Sequence, residues 1–510
     1  MKHVLSILGV LILAGCVVIP SKRVTFNDIK IGMPRDEAVA LLGKYPNLRE
    51  GATLVSAVLL ALNVAYLVEI APSHPVLELA NLAPGLHLVF RLEPLGALFA
   101  AVASGLWIVN SLYSIGYMRG NNEKNQTRFY VCFCIAIAAA MGVALSGNLL
   151  TMFLFYEVLT LSTYPLVTHK GDANAKRGGA IYLSILLGTS IGLLLPAVIA
   201  THFLAGSTDF VAGGLLAVNE VTPAIAGVLL VLFAFGIGKA ALMPVHPWLP
   251  NAMVAPTPVS ALLHAVAVVK AGVFAMLKVG TYIFGPALIA ATPTSDALAW
   301  IAGVSIVLSS VVAMTKDNLK ARLAFSTVSQ LSYVTLGVML ASPLAMLGGA
   351  LQIVMHAWGK ITLFMSAGAI YTATKKTEIS QMAGLGRYMP WLFIAYTVGA
   401  LSIIGLPPLG GTWPKLFLME GAWESGHGLL IVALVASSIL NVAYLLPISA
   451  RAFFAPPEEA GLKKKPPMLV ILPPVITACG VIVLFFLIGP LRDYLEPVFM
   501  SSSLAAEAAL

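Results

Sequence analysis

Long apolar runs recur from Ala52 almost to the end of the chain, separated by short polar stretches. Each reaches or exceeds the roughly 18 residues that a helix needs to cross a bilayer, and none shows the strict alternation of barrel strands. The pattern predicts spans at 52–69, 93–117, 128–146, 148–168, 178–203, 222–243, 257–281, 297–314, 319–340, 344–373, 391–424, 428–453 and 467–489. With the apolar opening MKHVLSILGVLILAGCVVIP this makes about fourteen. Two of them are interrupted, the seventh by Pro244, Pro247 and Pro250 and the twelfth by Pro407, Pro408, Gly410 and Gly411. Broken helices at membrane depth are tolerated only where the freed backbone is buried in protein or lines a wet cavity. Because the breaks fall five spans apart, spans four to eight and nine to thirteen read as two units of an internal repeat. An odd number of spans per unit forces the two into opposite topology. The expected fold class is therefore an all-α polytopic membrane protein with two inverted five-helix repeats and two broken helices. Its parts are an atypical start (1–43), N-terminal helices (44–127), a first repeat (128–281), a second repeat (297–453) and a C-terminal helix and tail (454–510).

Composition narrows the class further. Of the 510 residues 59% are hydrophobic and 10% charged, with a mean hydropathy of +0.92. An ordinary soluble globular protein of this length is excluded. The net charge of +8 is not a nucleic-acid signal, because the basic residues sit in short loops between spans. Arg119, Lys124 and Arg128 follow the third span, Lys170, Lys176 and Arg177 the fifth, and Lys316, Lys320 and Arg322 the ninth. Lys375, Lys376 and Arg387 follow the eleventh, and Arg451 with Lys463 to Lys465 the thirteenth. The alternate loops hold little beyond Arg91 and Lys278. Such a bias predicts odd-numbered loops in the cytoplasm and both termini outside, in the inner (cytoplasmic) membrane of the cell.

The opening fits this topology poorly. Lys2, an apolar core and Leu13-Ala14-Gly15-Cys16 look like a lipoprotein signal with its cleavage box, yet the same residues suit a first spanning helix. Phe26 to Gly43 resembles the opening of small outer-membrane-assembly lipoproteins. Two readings stand: an unusual first helix with a long basic cytoplasmic loop, or a foreign start joined to a core that begins near Lys44. Cys16, Cys132, Cys134 and Cys479 lack metal-ligand spacing and read as small buried hydrophobes.

Chemistry enters with the ionisable residues inside the spans, which are functional candidates because a charge in hydrocarbon must be paired, hydrated or neutralised. Glu157 sits within LLTMFLFYEVLTLSTYPL as a proton carrier or the partner of a lysine. Lys239 stands just before the first break and is its natural partner. His264 and Lys270 share a helix at a spacing of six, on different but not opposite faces, so that a relay through water can use both. His356 and Lys360, in HAWGK, stand one turn apart on one face. Lys415 lies just beyond the second break, where Glu420 and Glu424 either pair with it or mark the wet end of the helix. There is no Walker loop, no dinucleotide fingerprint and no cysteine array for an iron–sulfur cluster, so the chain is read as having no cofactor, metal or redox centre of its own. Energy must then come from an ion gradient or from a partner subunit.

FYEVLTLSTYPLV around Glu157, GKAALMPVHPWLPNAMVAPTPVSA around Lys239, LLHAVAVVKAG, HAWGKITLF and GLPPLGGTWPKL together resemble the antiporter-like subunits shared by respiratory complex I, Mrp-type sodium/proton antiporters and membrane-bound hydrogenases. The resemblance covers about residues 44–490. It implies fourteen helices, a Glu157–Lys239 pair, and a route from the central Lys270 to the terminal Lys415 by way of His264, His356 and Lys360. The first helix and the 21–43 insertion depart from the family, and no long lateral helix with extra spans follows the core. The length leans toward the Mrp D-type subunit. The expected function is thus a proton-translocating subunit of a multisubunit sodium/proton antiporter, assembled with other membrane subunits. The alternative is a proton-pumping membrane subunit of an NADH-quinone oxidoreductase or membrane-bound hydrogenase, and a stand-alone solute carrier is disfavoured by the charged chain at mid-depth.

Overall fold

The computed structural model describes residues 46–456 and 466–507. The signal-like start, Cys16, the 21–43 insertion and Lys463 to Lys465 lie outside the described residues. Helix α1 (Pro46–Ile70) leads to an antiparallel hairpin, β1 (Val76–Ala83) and β2 (Leu86–Arg91), paired from Val76↔Arg91 to Ala83↔Leu86. There follow α2 (Pro94–Gly120), α3 (Gln126–Ala144), α4 (Leu149–Val167), α5 (Ala173–Ala205), α6 (Pro223–Gly236) and α7 (Thr257–Phe284). The second half comprises α8 (Pro293–Met314), α9 (Leu319–Met339), α10 (Pro343–Thr374), α11 (Pro390–Ile404), α12 (Thr412–Glu424) and α13 (Gly428–Phe454). Helices α14 (Met468–Phe486) and α15 (Ile488–Glu507) complete it.

Ten of the described helices are long and apolar enough to cross a membrane, while α6 and α11 are apolar but shorter. Local sequence sets their starts. Asn148, Asp172, Asn318 and Ser342 each accept a bond from the backbone amide three residues on, satisfying a donor the first helical turn leaves open. Proline at the first or second position of α2, α6, α8, α10 and α11 removes such a donor outright.

The seventh and twelfth spans are shorter than the hydropathy pattern suggests. Helix α6 stops at Gly236 rather than near 243, and the predicted 391–424 span divides into α11 and α12. Apolar composition continues across both breaks, so hydropathy alone misses them. The hairpin is the other departure from an all-helical reading, and its strands alternate weakly enough to pass for a loop.

Helices α7 and α10 form the middle of the bundle. The apolar window of α7 is wholly buried and 94% of that of α10 is, against only 33% for α5, α13 and α14. In lipid, helices gain little from hiding apolar surface from one another, so close packing carries association. Gly272 in α7 illustrates it: a side-chain carbon there would meet the backbone nitrogen of Ala240 at 2.4 Å, so only glycine lets α7 lie directly on the turn that carries Lys239. The basic loops gather at one end of the bundle, where Arg128 reaches the carbonyl of His169 (2.9 Å), Lys320 that of Met253 (2.8 Å), and Leu319 N–H that of Thr377 (3.0 Å). Lys278 is a correction. Expected in a loop, it lies inside α7 and is 1% exposed.

Candidate functional site

Each of the two helix breaks frees backbone carbonyls, and side chains recover them. After α6 the chain makes one tight turn, Gly238–Ala240, and Ala241 turns left-handed (φ 54). The Trp248 indole donates to the Gly238 carbonyl at 2.9 Å, and the Lys239 amide donates to the Tyr156 hydroxyl at 3.0 Å. After α11, Gly405 takes φ 92, a conformation that a side chain would strain. There the Lys415 ammonium donates to the Ile404 carbonyl at 2.8 Å and Asn441 to that of Ile403 at 3.4 Å. Polar backbone at depth is thus held by protein, as the membrane requires.

Lys239 is fully buried. Its ammonium donates to the Tyr156 carbonyl (2.7 Å) and the Thr160 hydroxyl (2.6 Å) and lies 3.1 Å from the centre of the Tyr156 ring. Glu157, the next residue along α4, does not pair with it directly: no nitrogen–oxygen approach within 4 Å occurs, and both carboxylate oxygens are buried without a hydrogen-bond partner. The expected ion pair is therefore open, because α4 turns the carbonyl of Tyr156 and the side chain of Thr160 toward the lysine first.

At the centre, Lys270 on α7 meets His356 Nδ1 on α10 at 2.7 Å. Both groups are buried, and the Nε2 of His356 has no partner. Lys360, one turn on from His356, donates to Ser326 Oγ on α9 at 2.7 Å. His264 sits in a π-helical turn (Leu262–Val266), a distortion common at functional sites, with neither ring nitrogen bonded and its ring stacked on Phe364 at 4.7 Å.

Lys360 also opens onto a polar chain toward the second break. The Tyr444 hydroxyl lies 2.8 Å from Ser326 Oγ and bonds to Asn441, whose amide in turn reaches the Ile403 carbonyl. Beside that carbonyl, Lys415 holds the Ile404 carbonyl and the Ser438 hydroxyl, each at 2.8 Å. Glu420 and Glu424 do not pair with Lys415. Both are exposed, and Glu424 accepts from Ser342 at 3.3 Å, which places them at the wet end of α12.

The structure thus joins Lys270 with His356, and links Lys360 to the surroundings of Lys415. It leaves Lys239 without a hydrogen-bonded link to Lys270 among the described residues, although Gly272 brings their elements into contact. Tyr156, Thr160, Ser326, Tyr444, Asn441 and Ser438 do not stand out in the sequence. Their only signal is that hydroxyl and amide side chains recur on the inner faces of otherwise apolar helices. Among the described residues no three His, Cys, Asp or Glu side chains cluster as a metal site.

Interrupted helices carrying buried lysines make a membrane bundle with a polar interior, and comparison with known proteins places it. Residues 146–441, more than half of the chain, match the NADH:quinone oxidoreductase/Mrp antiporter transmembrane family, and the chain belongs to that family. It is a multi-pass membrane protein. It is 31% identical over 363 residues to the chloroplastic NAD(P)H-quinone oxidoreductase subunit 5 of Zygnema circumcarinatum, covering 68% of this chain and 49% of that protein. It is 32% identical over 349 residues to a probable K(+)/H(+) antiporter component of Rhizobium meliloti (strain 1021), covering 67% of this chain and 34% of that protein. The chain therefore spans about half or less of these relatives. A chain in the solved Mrp complex from Dietzia sp. DQ12-45-1b superimposes with a TM-score of 0.81 at 25% identity, covering 98% of this chain and 52% of that one.

Proposed function

We propose that this chain is a proton-translocating subunit of a multisubunit monovalent cation/proton antiporter. Sodium is the counter-ion favoured by the family resemblance, and potassium joins it because the rhizobial relative bears a K(+)/H(+) name. The observation that carries this reading is the repeated device at the two breaks, each with a buried lysine whose ammonium is held by neutral oxygens rather than by a fixed counter-charge. A cation held that way can lose or regain a proton without leaving a stranded carboxylate behind. Glu157 and Lys239 form the entry pair, Lys270 the central station with His264 and His356, and Lys360 hands on toward Lys415.

The finer architecture belongs to the same proposal. Residues 128–281 and 297–453 form two inverted five-helix units within about fourteen helices, the basic loops face the cytoplasm, and the chain works beside other membrane subunits. The second reading, a proton-pumping subunit of a quinone-linked or hydrogenase complex, is favoured by the name of the Zygnema relative.

Two measurements test the proposal. The purified complex, reconstituted in vesicles, is expected to dissipate an imposed pH gradient when sodium or potassium is added, and Lys239→Ala to abolish this without loss of assembly. Full activity in the variant overturns the proposal. Co-purification with flavin or iron–sulfur subunits selects the redox-driven reading instead.

A further inference from the structure

Glu93 and Lys278 form an ion pair that the route above does not use. The Lys278 ammonium lies 2.8 Å from Glu93 Oε1 and 2.5 Å from the Ser146 carbonyl, with the two side chains 1% and 5% exposed. It also faces the ring of Phe210 at 4.4 Å. The pair sits at the end of the bundle opposite the basic loops, where β2 runs into α2. Tyr282, one turn further along α7, acts electrostatically on Glu93, and the half-buried Arg91, two residues before Glu93, is tied to the Phe210 carbonyl at 2.8 Å. Arg91, Tyr282 and the pair itself are the charged or titratable groups that bear on it.

Lys278 shares α7 with Lys270, eight residues and about 12 Å further along the axis. Between them stands Phe274, its ring 5.6 Å from the Lys278 ammonium and packed on Phe99 at 4.8 Å. The Phe274 ring therefore stands along α7 between the central lysine and a second buried cation that already has an acid beside it and the half-buried Arg91 close by. We propose that the Lys278–Glu93 pair is a further proton-carrying station, the last before release at the end of the bundle opposite the basic loops. This rests on the proton-translocating reading given above.

In the step itself, the Lys278 ammonium passes a proton to the Glu93 carboxylate, leaving a neutral amine and a neutral acid. The acid then gives its proton to water on the Arg91 side, and the amine is reloaded from Lys270 when the Phe274 ring turns and water enters. Charge is conserved at each stage, and no group beyond water is required.

A purely structural pair would pin the hairpin to α7, and the test separates the two roles. Replacing both partners of a buried ion pair by apolar side chains of similar volume is often neutral for stability, whereas removing one strands a charge. The double variant Glu93→Leu/Lys278→Met is expected to assemble with its partner subunits and to lose at least about tenfold of vesicle proton transport. Glu93→Asp, which keeps the pair, is expected to retain transport with a displaced pH profile. Transport by the double variant at the unmodified rate overturns the proposal, as does an unchanged rate and pH profile in Glu93→Asp. Lys239→Ala measured in parallel distinguishes the failures: if it is inactive while the double variant is active, only the station falls. If both are active, the translocating function itself falls.

Discussion

Glu157→Gln is the substitution whose effect can be worked most directly from the geometry. In the observed state Lys239 makes two charge-assisted hydrogen bonds, to the Tyr156 carbonyl and Thr160. Each contributes about 1.5–3 kcal/mol, so swinging the ammonium away costs roughly 3–6 kcal/mol. Closing on the unpartnered Glu157 carboxylate to about 4 Å returns roughly 4 kcal/mol at an effective dielectric constant of about 20. The two arrangements then differ by only a few kcal/mol, which is what a switch needs. Glutamine keeps the shape and removes the charge, so nearly all of the returning term disappears. At about 1.4 kcal/mol per decade this lowers the population of the swung state by two to three orders of magnitude. Dye-monitored proton movement in vesicles with the assembled complex should fall at least about a hundredfold. A Glu157→Gln complex that assembles normally and transports within about threefold of the unmodified one would refute the reasoning.

Further expectations follow from other contacts. His356→Leu removes the acceptor of Lys270, a contact worth about 1.5–3 kcal/mol, and should lower transport by about ten- to a hundredfold, with His356→Gln recovering part of it in the same vesicle assay. Tyr444→Phe cuts the polar chain between Ser326 and Asn441, so transport should drop while thermal stability changes by only about 1 kcal/mol. His169, in the turn after α4, is pushed down from 6.5 to about 4 by burial first and then by Arg128. The folded state therefore resists a proton that the unfolded chain accepts below pH 6.5. Stability from this group is complete above 6.5 and is lost as pH falls toward 4, by up to about 3 kcal/mol, and His169→Phe should flatten that part of a denaturation profile.

How much of this can be read from the chain differs by level. The helices are legible because apolar length alone defines them, and the breaks because prolines and glycines interrupt at a fixed interval. The candidate lysines stand out since a cation inside an apolar run has few bland explanations. What cannot be read is who holds each cation. Charge alone assigns Lys239 to Glu157, yet it rests on a carbonyl and a hydroxyl, because a peptide oxygen at the right height on α4 is invisible in a side-chain pattern. Lys278 is misplaced for the opposite reason. It sits near the end of an apolar run, where a lysine ordinarily marks a loop, and its partner Glu93 lies 185 positions earlier in the sequence, so nothing local announces the pair.

The lysines' partners bear on how the stations communicate. Lys239, Lys270, Lys360 and Lys415 are held by carbonyls, hydroxyls and an imidazole, none of them a carboxylate. Lys360 acts electrostatically on both Lys270 and His356, so these three groups repel one another when charged. At an effective dielectric constant of about 20, two such charges about 8 Å apart oppose each other by about 2 kcal/mol, enough to change occupancy more than tenfold. On the proposed route, a proton arriving at Lys360 would therefore favour departure from Lys270, and one leaving toward Lys415 would let Lys270 refill. Alternate loading is then what the proposed route owes to the shortage of counter-charge. Adding a fixed acid beside the central pair, for example by Gln352→Glu one turn from His356, should hold the charged state and slow transport even though every native contact of Lys270 remains.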